Sequence, residues 1–350
     1  MYNNTINTME DFNQLLEESN KTFLENFKPE VWFGKCIFIS WYCDVGTCQF
    51  CFRSTQKSRI GFAQRARRSV ASILSEALIA KNMGWRVEFL TGGYRIYPLQ
   101  DLVNIAKLVS QVYGEKVWLN LGALKEEELE SFKPYIKGIV SSIETINPEL
   151  HDKICPNKPI KPYEEMFSYS KDLRKSITIV IGLGEKKEDF ELLAEFIEKH
   201  KLDRITFYAL KPVKGTPYTH GPDSKYYAWW IAKTRVRFPK LQIIAGTTYK
   251  RIMCEDDCDT KDEIKLLMLA GANAVTKFPA TKKFGSIAAK KIEEGIEKSG
   301  RKFTSTLTKM PEVDWDAEVD NLIIGEDVKE KLRPVLKDYL KNMSHGTDDE

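Results

Sequence analysis

Long apolar runs are missing from this chain. No stretch approaches the roughly 18 or more consecutive apolar residues that mark a membrane-spanning helix, so none is expected to cross a bilayer. The opening, MYNNTINTMEDFNQLLEESN, is polar and acidic. It lacks the basic-then-apolar layout of a secretory leader, and the expectation is a cytoplasmic protein with no membrane partner. An excess of one charge is also missing. Lys and Arg number 53 against 50 Asp and Glu, for a net charge of +3. That balance argues against a dedicated nucleic-acid binder. No short repeat is present. What remains is a 350-residue chain, 42% hydrophobic, with enough apolar matter for one large domain or two smaller ones.

The chain alternates short apolar runs with amphipathic ones. Strand-like runs fall at 35–40, 86–93, 116–122, 138–145, 176–184, 204–212, 241–247 and 273–279. Helix-like runs follow them at 64–84, 99–114, 125–132, 163–174, 186–200, 224–238, 260–272 and 285–300. The strand runs are short and rich in β-branched residues, as parallel strands buried on both faces are. Eight strand–helix units over about 260 residues predict an α/β fold, a (β/α)8 TIM-type barrel; a doubly wound open sheet is the alternative. Segment 1–33 carries a helix expected to cover the bottom of the barrel, 34–300 forms the barrel, and 301–350 carries a further helical extension with a disordered acidic end.

Seven cysteines are an odd count for a disulfide framework, and clustered thiols in a reducing compartment suggest metal or redox work. Cys43, Cys48 and Cys51 cluster in SWYCDVGTCQFCFRS, spaced C-x4-C-x2-C, directly after the first strand. The C-terminal ends of barrel strands are where such barrels do chemistry. Thiolates suit iron–sulfur clusters and zinc. Structural zinc usually takes four protein ligands, yet the four histidines, at 151, 200, 220 and 345, are all remote in sequence. Three thiols can hold three irons of a 4Fe–4S cluster and leave the fourth open. A zinc site borrowing a distant ligand and three unconnected buried cysteines are the other readings.

Further candidates lie at later strand ends. Gly92 and Gly93 in TGGY mark a close backbone approach or a tight turn. Asn120 in WLNLG either faces the lumen or satisfies neighbouring backbone. Glu144 in SIETINPELHDKI either binds a ligand or caps a helix. VIGLGE (180–185) brings Ile181 and Gly182 to a strand-to-helix turn, and FYALKPVKGTP (207–217) brings Tyr208 and Leu210. Cys155, Cys254 and Cys258 could bind a second metal, and Cys36 is expected in the core. The aromatic group Tyr226, Tyr227, Trp229 and Trp230 is expected to pack on the barrel. RARR (65–68) reads as a helix start with solvated charges or a balance for an anionic substrate.

The three-cysteine loop with these strand-end motifs resembles the radical S-adenosylmethionine (SAM) superfamily, in its biotin synthase-like branch, over roughly residues 36–300. The resemblance implies Cys43, Cys48 and Cys51 as catalytic ligands of a 4Fe–4S cluster whose open iron chelates SAM. It implies Phe50, Gly92, Gly93, Asn120, Glu144, Ile181, Gly182, Tyr208 and Leu210 as SAM contacts, with Phe50 against the adenine. The commonest family spacing is C-x3-C-x2-C, and Tyr94 stands where the family's GGE-like motif has an acid. The widened loop and AGANAVTKFPA (270–280) resemble the maturases of mono-iron hydrogenase, the HmdB or HcgA type, whose own spacing is C-x5-C-x2-C. That likeness implies work on the guanylylpyridinol cofactor, a pyridinol precursor as small-molecule substrate, and a low-potential donor such as ferredoxin or flavodoxin. Another biotin synthase-like enzyme (sulfur inserter or lyase) and a non-catalytic iron–sulfur or zinc carrier are the alternatives.

Overall fold

A computed structural model describes residues 9–93, 96–253 and 262–344. All eight expected strands form. They are β1 (Glu30–Phe38), β2 (Arg86–Thr91), β3 (Val117–Asn120), β4 (Ile136–Glu144), β5 (Arg174–Ile181), β6 (Arg204–Ala209), β7 (Gln242–Gly246) and β8 (Ala274–Thr276). Neighbours run parallel in sequence order, and β1 closes the ring by pairing with both β2 and β8. The fold is therefore the (β/α)8 barrel with helices around it. A short β9 (Lys302–Phe303) adds to the start of β1 on the outside.

The helices form where apolar residues recur at helical spacing. In Leu99–Tyr113, Val103, Ala106 and Val109 are buried and Gly114 ends the helix at φ 88°, the left-handed conformation glycine adopts freely. Tyr227, Trp229 and Trp230 are buried as expected of packing residues. The Tyr227 hydroxyl donates to the carbonyls of Phe207 (2.7 Å) and Gly246 (3.1 Å), clamping its helix to β6 and β7.

The N-terminal helix, Met9–Asn26, packs beside the helices Ser224–Arg237 and Glu263–Leu269 at the N-terminal end of the barrel. There Phe23 is fully buried, with the Arg301 guanidinium 3.6 Å from its ring centroid. Arg235 is buried nearby and donates to the carbonyls of Pro239, Leu241 and Gly271. This end has the marks of a stability face.

Three local expectations are corrected. The run at 64–84 is not one helix: a 3₁₀ turn at Ala63–Ala66 precedes Val70–Asn82, whose N-cap Ser69 accepts from the Ser72 N–H. Arg65 is exposed as expected, but Arg67 and Arg68 are not solvated charges. Arg67 donates to the Ile96 carbonyl at 2.6 Å, and Arg68 to the Phe38 carbonyl at 2.8 Å and Glu76 at 3.1 Å. Two short helices, Phe52–Ile60 and Pro148–Ile154, were not expected at all.

Candidate functional site

The cysteine loop leaves β1 and folds back on its own helix. Cys51 caps Phe52–Ile60, and its N–H donates to the Cys48 carbonyl at 3.1 Å. Gln49 ties the loop to Pro148–Ile154, donating from backbone to Ile154 (3.0 Å) and from side chain to Lys153 (2.8 Å). Arg53 donates to the Ser40 carbonyl at 3.3 Å while its guanidinium sits 5.3 Å from the Phe38 and Phe52 ring centroids. Gly93 fixes the other side. A Cβ there would lie 1.6 Å from the Tyr42 carbonyl oxygen and 2.5 Å from Cys43 Cα. The end of β2 thus seats the backbone that carries Cys43.

Cys43, Cys48 and Cys51 all line one cavity of about 1410 Å³ at the C-terminal mouth of the barrel. Phe50, Gly92, Asn120, Glu144, Tyr208 and Leu210 line it too. Gly93, Ile181 and Gly182 do not. The Ile181 side chain is in the core, and the N–H groups of Gly182, Leu183 and Gly184 donate to the Glu185 carboxylate at 2.8, 2.9 and 3.2 Å. Asn120 faces the cavity and donates to the Ser142 hydroxyl at 3.1 Å. Glu144 neither caps a helix nor lies solvated. Held at φ 69°, it pairs with Lys158 at 2.5 Å. Burial opposes the Lys158 charge, but Glu144 holds its pKa well above the ordinary lysine value. His151, bonded to the carbonyls of Thr145 (3.2 Å) and Lys158 (2.7 Å), braces that loop.

Cys155 is buried beside Cys48, and Cys254 and Cys258 lie outside the described residues. The hydrogen bond from Cys155 lowers the pKa of Cys48, while that bond and burial raise Cys155. Burial also pushes the Cys51 thiol up, against the pull of Arg53. Among the described residues no three His, Cys, Asp or Glu side chains converge on one ion. A tetrahedral zinc site needs that convergence. A 4Fe–4S cluster does not, because each thiolate meets a different iron. Three thiols set around one cavity suit the cluster.

Sequence reasoning missed what lies beneath. A bulge opposite Lys35 and Cys36 turns both Glu88 and Phe89 inward, as bulges re-aim side chains. The fully buried Glu88 carboxylate accepts from Cys36 Sγ (2.9 Å), Thr206 (3.0 Å), Tyr208 (2.9 Å) and Thr276. Cys36 is therefore not a plain core residue. It is half-buried, lines the cavity floor, and its pKa is raised by burial and then by Glu88. The signal was the lone acid in RVEFLT, since a carboxylate in a buried strand must be satisfied. Glu88→Ala leaves several buried donors without an acceptor. It is expected to lower stability by about 2–3 kcal/mol, measured by denaturant unfolding.

Lys277, just past β8, was missed as well. It has φ 70° and donates to the Ala209 carbonyl at 3.0 Å. Burial, then Lys211 and Arg251, bring its pKa down to about 8. Only Glu144, Lys201 and Lys277 are non-glycine residues at positive φ among those described, and two of the three line the cavity. Such backbone costs on the order of 1–3 kcal/mol and persists where the surroundings impose it. Lys277→Asn, which tolerates this conformation and removes a desolvated charge, is expected to raise stability by about 1 kcal/mol. A lower melting temperature would contradict that account of the site.

Comparison with known proteins agrees with this geometry. The family model "Radical SAM superfamily" matches residues 37–197. An uncharacterized protein of Methanocaldococcus jannaschii is 33% identical over 94% of this chain and 95% of its own. The chain belongs to the radical SAM superfamily, and it is an enzyme that works with a 4Fe–4S cluster and SAM. A biotin synthase of Francisella philomiragia is 26% identical over 58% of this chain and 66% of that protein. The crystal structure of methylornithine synthase shares the fold at a TM-score of 0.67 and 19% identity, covering 85% of this chain and 90% of that one. Enzymes of this class act on small molecules and take electrons from a reductant. No helix among the described residues is long and apolar enough to cross a membrane.

Proposed function

We propose that Cys43, Cys48 and Cys51 hold three irons of the 4Fe–4S cluster, and that the enzyme serves biosynthesis of the guanylylpyridinol cofactor of mono-iron hydrogenase. The observation that carries the site assignment is the placement of all three thiols on one cavity at the barrel mouth. When bound, the cluster and SAM supply reductive cleavage of a sulfonium carbon–sulfur bond, giving methionine and a 5′-deoxyadenosyl radical that takes a hydrogen atom from substrate.

The chain's own residues bind, orient and exclude water. Phe50 and Leu210 give the cavity apolar wall beside the thiols, in a cluster with Cys155, Val180 and Leu183. Phe50 is assigned to the adenine of SAM, and Gly92, Asn120 and Tyr208 to its remaining contacts. Glu144 is assigned to a cationic or hydroxyl group of SAM, for which it would exchange or share Lys158. Gly93, Ile181 and Gly182 are off the cavity wall, and their backbones are taken up by the cysteine loop, Leu210 and Glu185, so no SAM contact is assigned to them. The loop spacing C-x4-C-x2-C and the AGANAVTKFPA segment support the maturase branch. On that reading the substrate is a pyridinol precursor, the electron donor a ferredoxin or flavodoxin, and the location the cytoplasm.

The test is anaerobic product analysis. Formation of 5′-deoxyadenosine should rise at least about tenfold with a pyridinol precursor, equivalent to roughly 1.4 kcal/mol of barrel–substrate coupling. Stimulation by dethiobiotin instead, with none by pyridinols, would reassign the enzyme to sulfur insertion.

A further inference from the structure

Among the described residues the cavity wall carries many more cations than carboxylates. Eight Lys and Arg side chains of those residues line it against two carboxylates, Glu76 and Glu144, with the Glu88 carboxylate beneath its floor, taken up by Cys36, Thr206, Tyr208 and Thr276. Both carboxylates are already used: Glu144 by Lys158 at 2.5 Å, and Glu76 by Lys35 and Arg68 at 3.2 and 3.1 Å. Among the described residues, Lys211, Lys277 and Lys282 have no carboxylate partner, although all three line the cavity. They come from the ends of β6 and β8, strands that carry none of the three clustered cysteines.

Lys277 is the telling member. Its ammonium spends one donor on Ala209 and sits 5.2 Å from the Tyr208 ring centroid. The charged and titratable groups around it include Lys211, Arg251, Cys36, Glu144 and Tyr208, with Glu88 behind Cys36 and Tyr208 and already bonded to both. Of these, Glu144 is held by Lys158, and Arg251 by Glu263 at 2.5 Å. A half-buried cation beside another cation is unfavourable unless a counter-charge arrives. The backbone nevertheless holds Lys277 there in a left-handed conformation, as strained functional positions are held. SAM does not cancel the excess, since its single carboxylate is outnumbered by an ammonium and a sulfonium.

We propose that the substrate of this enzyme is an oxyanion, bearing carboxylate or phosphate groups, held by Lys277, Lys211 and Lys282 beside the SAM position. This rests on the radical SAM reading of the same cavity. Ammonium groups bind either oxyanion as point charges, so chemistry alone leaves the two sources together and the test separates them.

The experiment is calorimetric titration of the reconstituted, SAM-saturated protein under anaerobic conditions, with citrate and inorganic pyrophosphate as separate probes and glycerol as the neutral control. SAM cleavage is assayed on the same samples. One anion should bind and glycerol should not, and the better probe tells carboxylate from phosphate. Lys277→Met should weaken that binding at least tenfold while Lys277→Arg retains it, which separates lost charge from lost fold. Affinity should fall as pH rises through about 8 in the wild type and stay flat across that range in Lys277→Met. If neither anion binds while SAM cleavage is intact, the substrate assignment is wrong and the radical SAM reading stands. If anions bind only when SAM is absent, the lysines serve the SAM carboxylate and the proposal is overturned. Failure of SAM cleavage itself would remove the reading beneath it.

Discussion

Alanine at Cys43, Cys48 or Cys51 is expected to abolish cluster binding and SAM cleavage together. Each thiolate is the sole protein ligand of one iron in the proposed arrangement, and no other described cysteine on that loop can replace it. The contrast is Cys155. It is buried against Cys48 and its hydrogen bond lowers the pKa of that thiol, so geometry alone could make it a fourth ligand. A fourth thiolate would close the iron that SAM needs. Cys155→Ser should therefore keep iron content and SAM cleavage within about twofold, because a lost neutral hydrogen bond is worth only about 1 kcal/mol. Iron and sulfide analysis with 5′-deoxyadenosine quantitation reads both outcomes. A Cys43→Ala protein that kept its cluster would remove Cys43 from the ligand set.

The second large effect is expected at Gly93. Alanine there would put a carbon 1.6 Å from the Tyr42 carbonyl, and backbone is on both sides, so no flexible side chain can yield. Either β2 or the cysteine loop must move. Overpacking of this kind commonly costs about 1–3 kcal/mol when side chains give way; here the loss is expected to exceed roughly 3 kcal/mol, with cluster binding lost through displacement of Cys43. Gly92→Ala is the milder neighbour. Its Cβ would meet the Ile39 and Ile96 side chains at 2.7 and 2.9 Å, and those ends can adjust. Thermal unfolding of the two variants should rank them in that order; equal melting temperatures would mean the loop does not depend on Gly93.

Much of the fold was legible because it is written in local pattern. The strand runs are mostly apolar, and residues such as Ile37, Ile139 and Ile177 are buried beneath the helices. The cysteine spacing and its place after β1 were local too. What escaped depends on distant partners. Phe52–Ile60 has no buried residue, so it carries no amphipathic signal. The inward turn of Glu88 needs a bulge set by pairing with β1. Arg68 looked solvated, yet its partners Phe38, Glu76 and Tyr339 span much of the chain. Lys277 stands in a run that reads as strand, NAVTKFP, but β8 ends at Thr276 and the backbone then turns left-handed. Gly93 was noticed for the right physical reason, close approach, but what approaches is the cysteine loop itself.

The central claim is that three thiols leave one iron open to SAM. Electron paramagnetic resonance of the anaerobically reconstituted, reduced protein tests it most directly. The account predicts a 4Fe–4S signal whose line shape changes when SAM is added. A signal indifferent to saturating SAM, in protein with a full complement of iron, would contradict it.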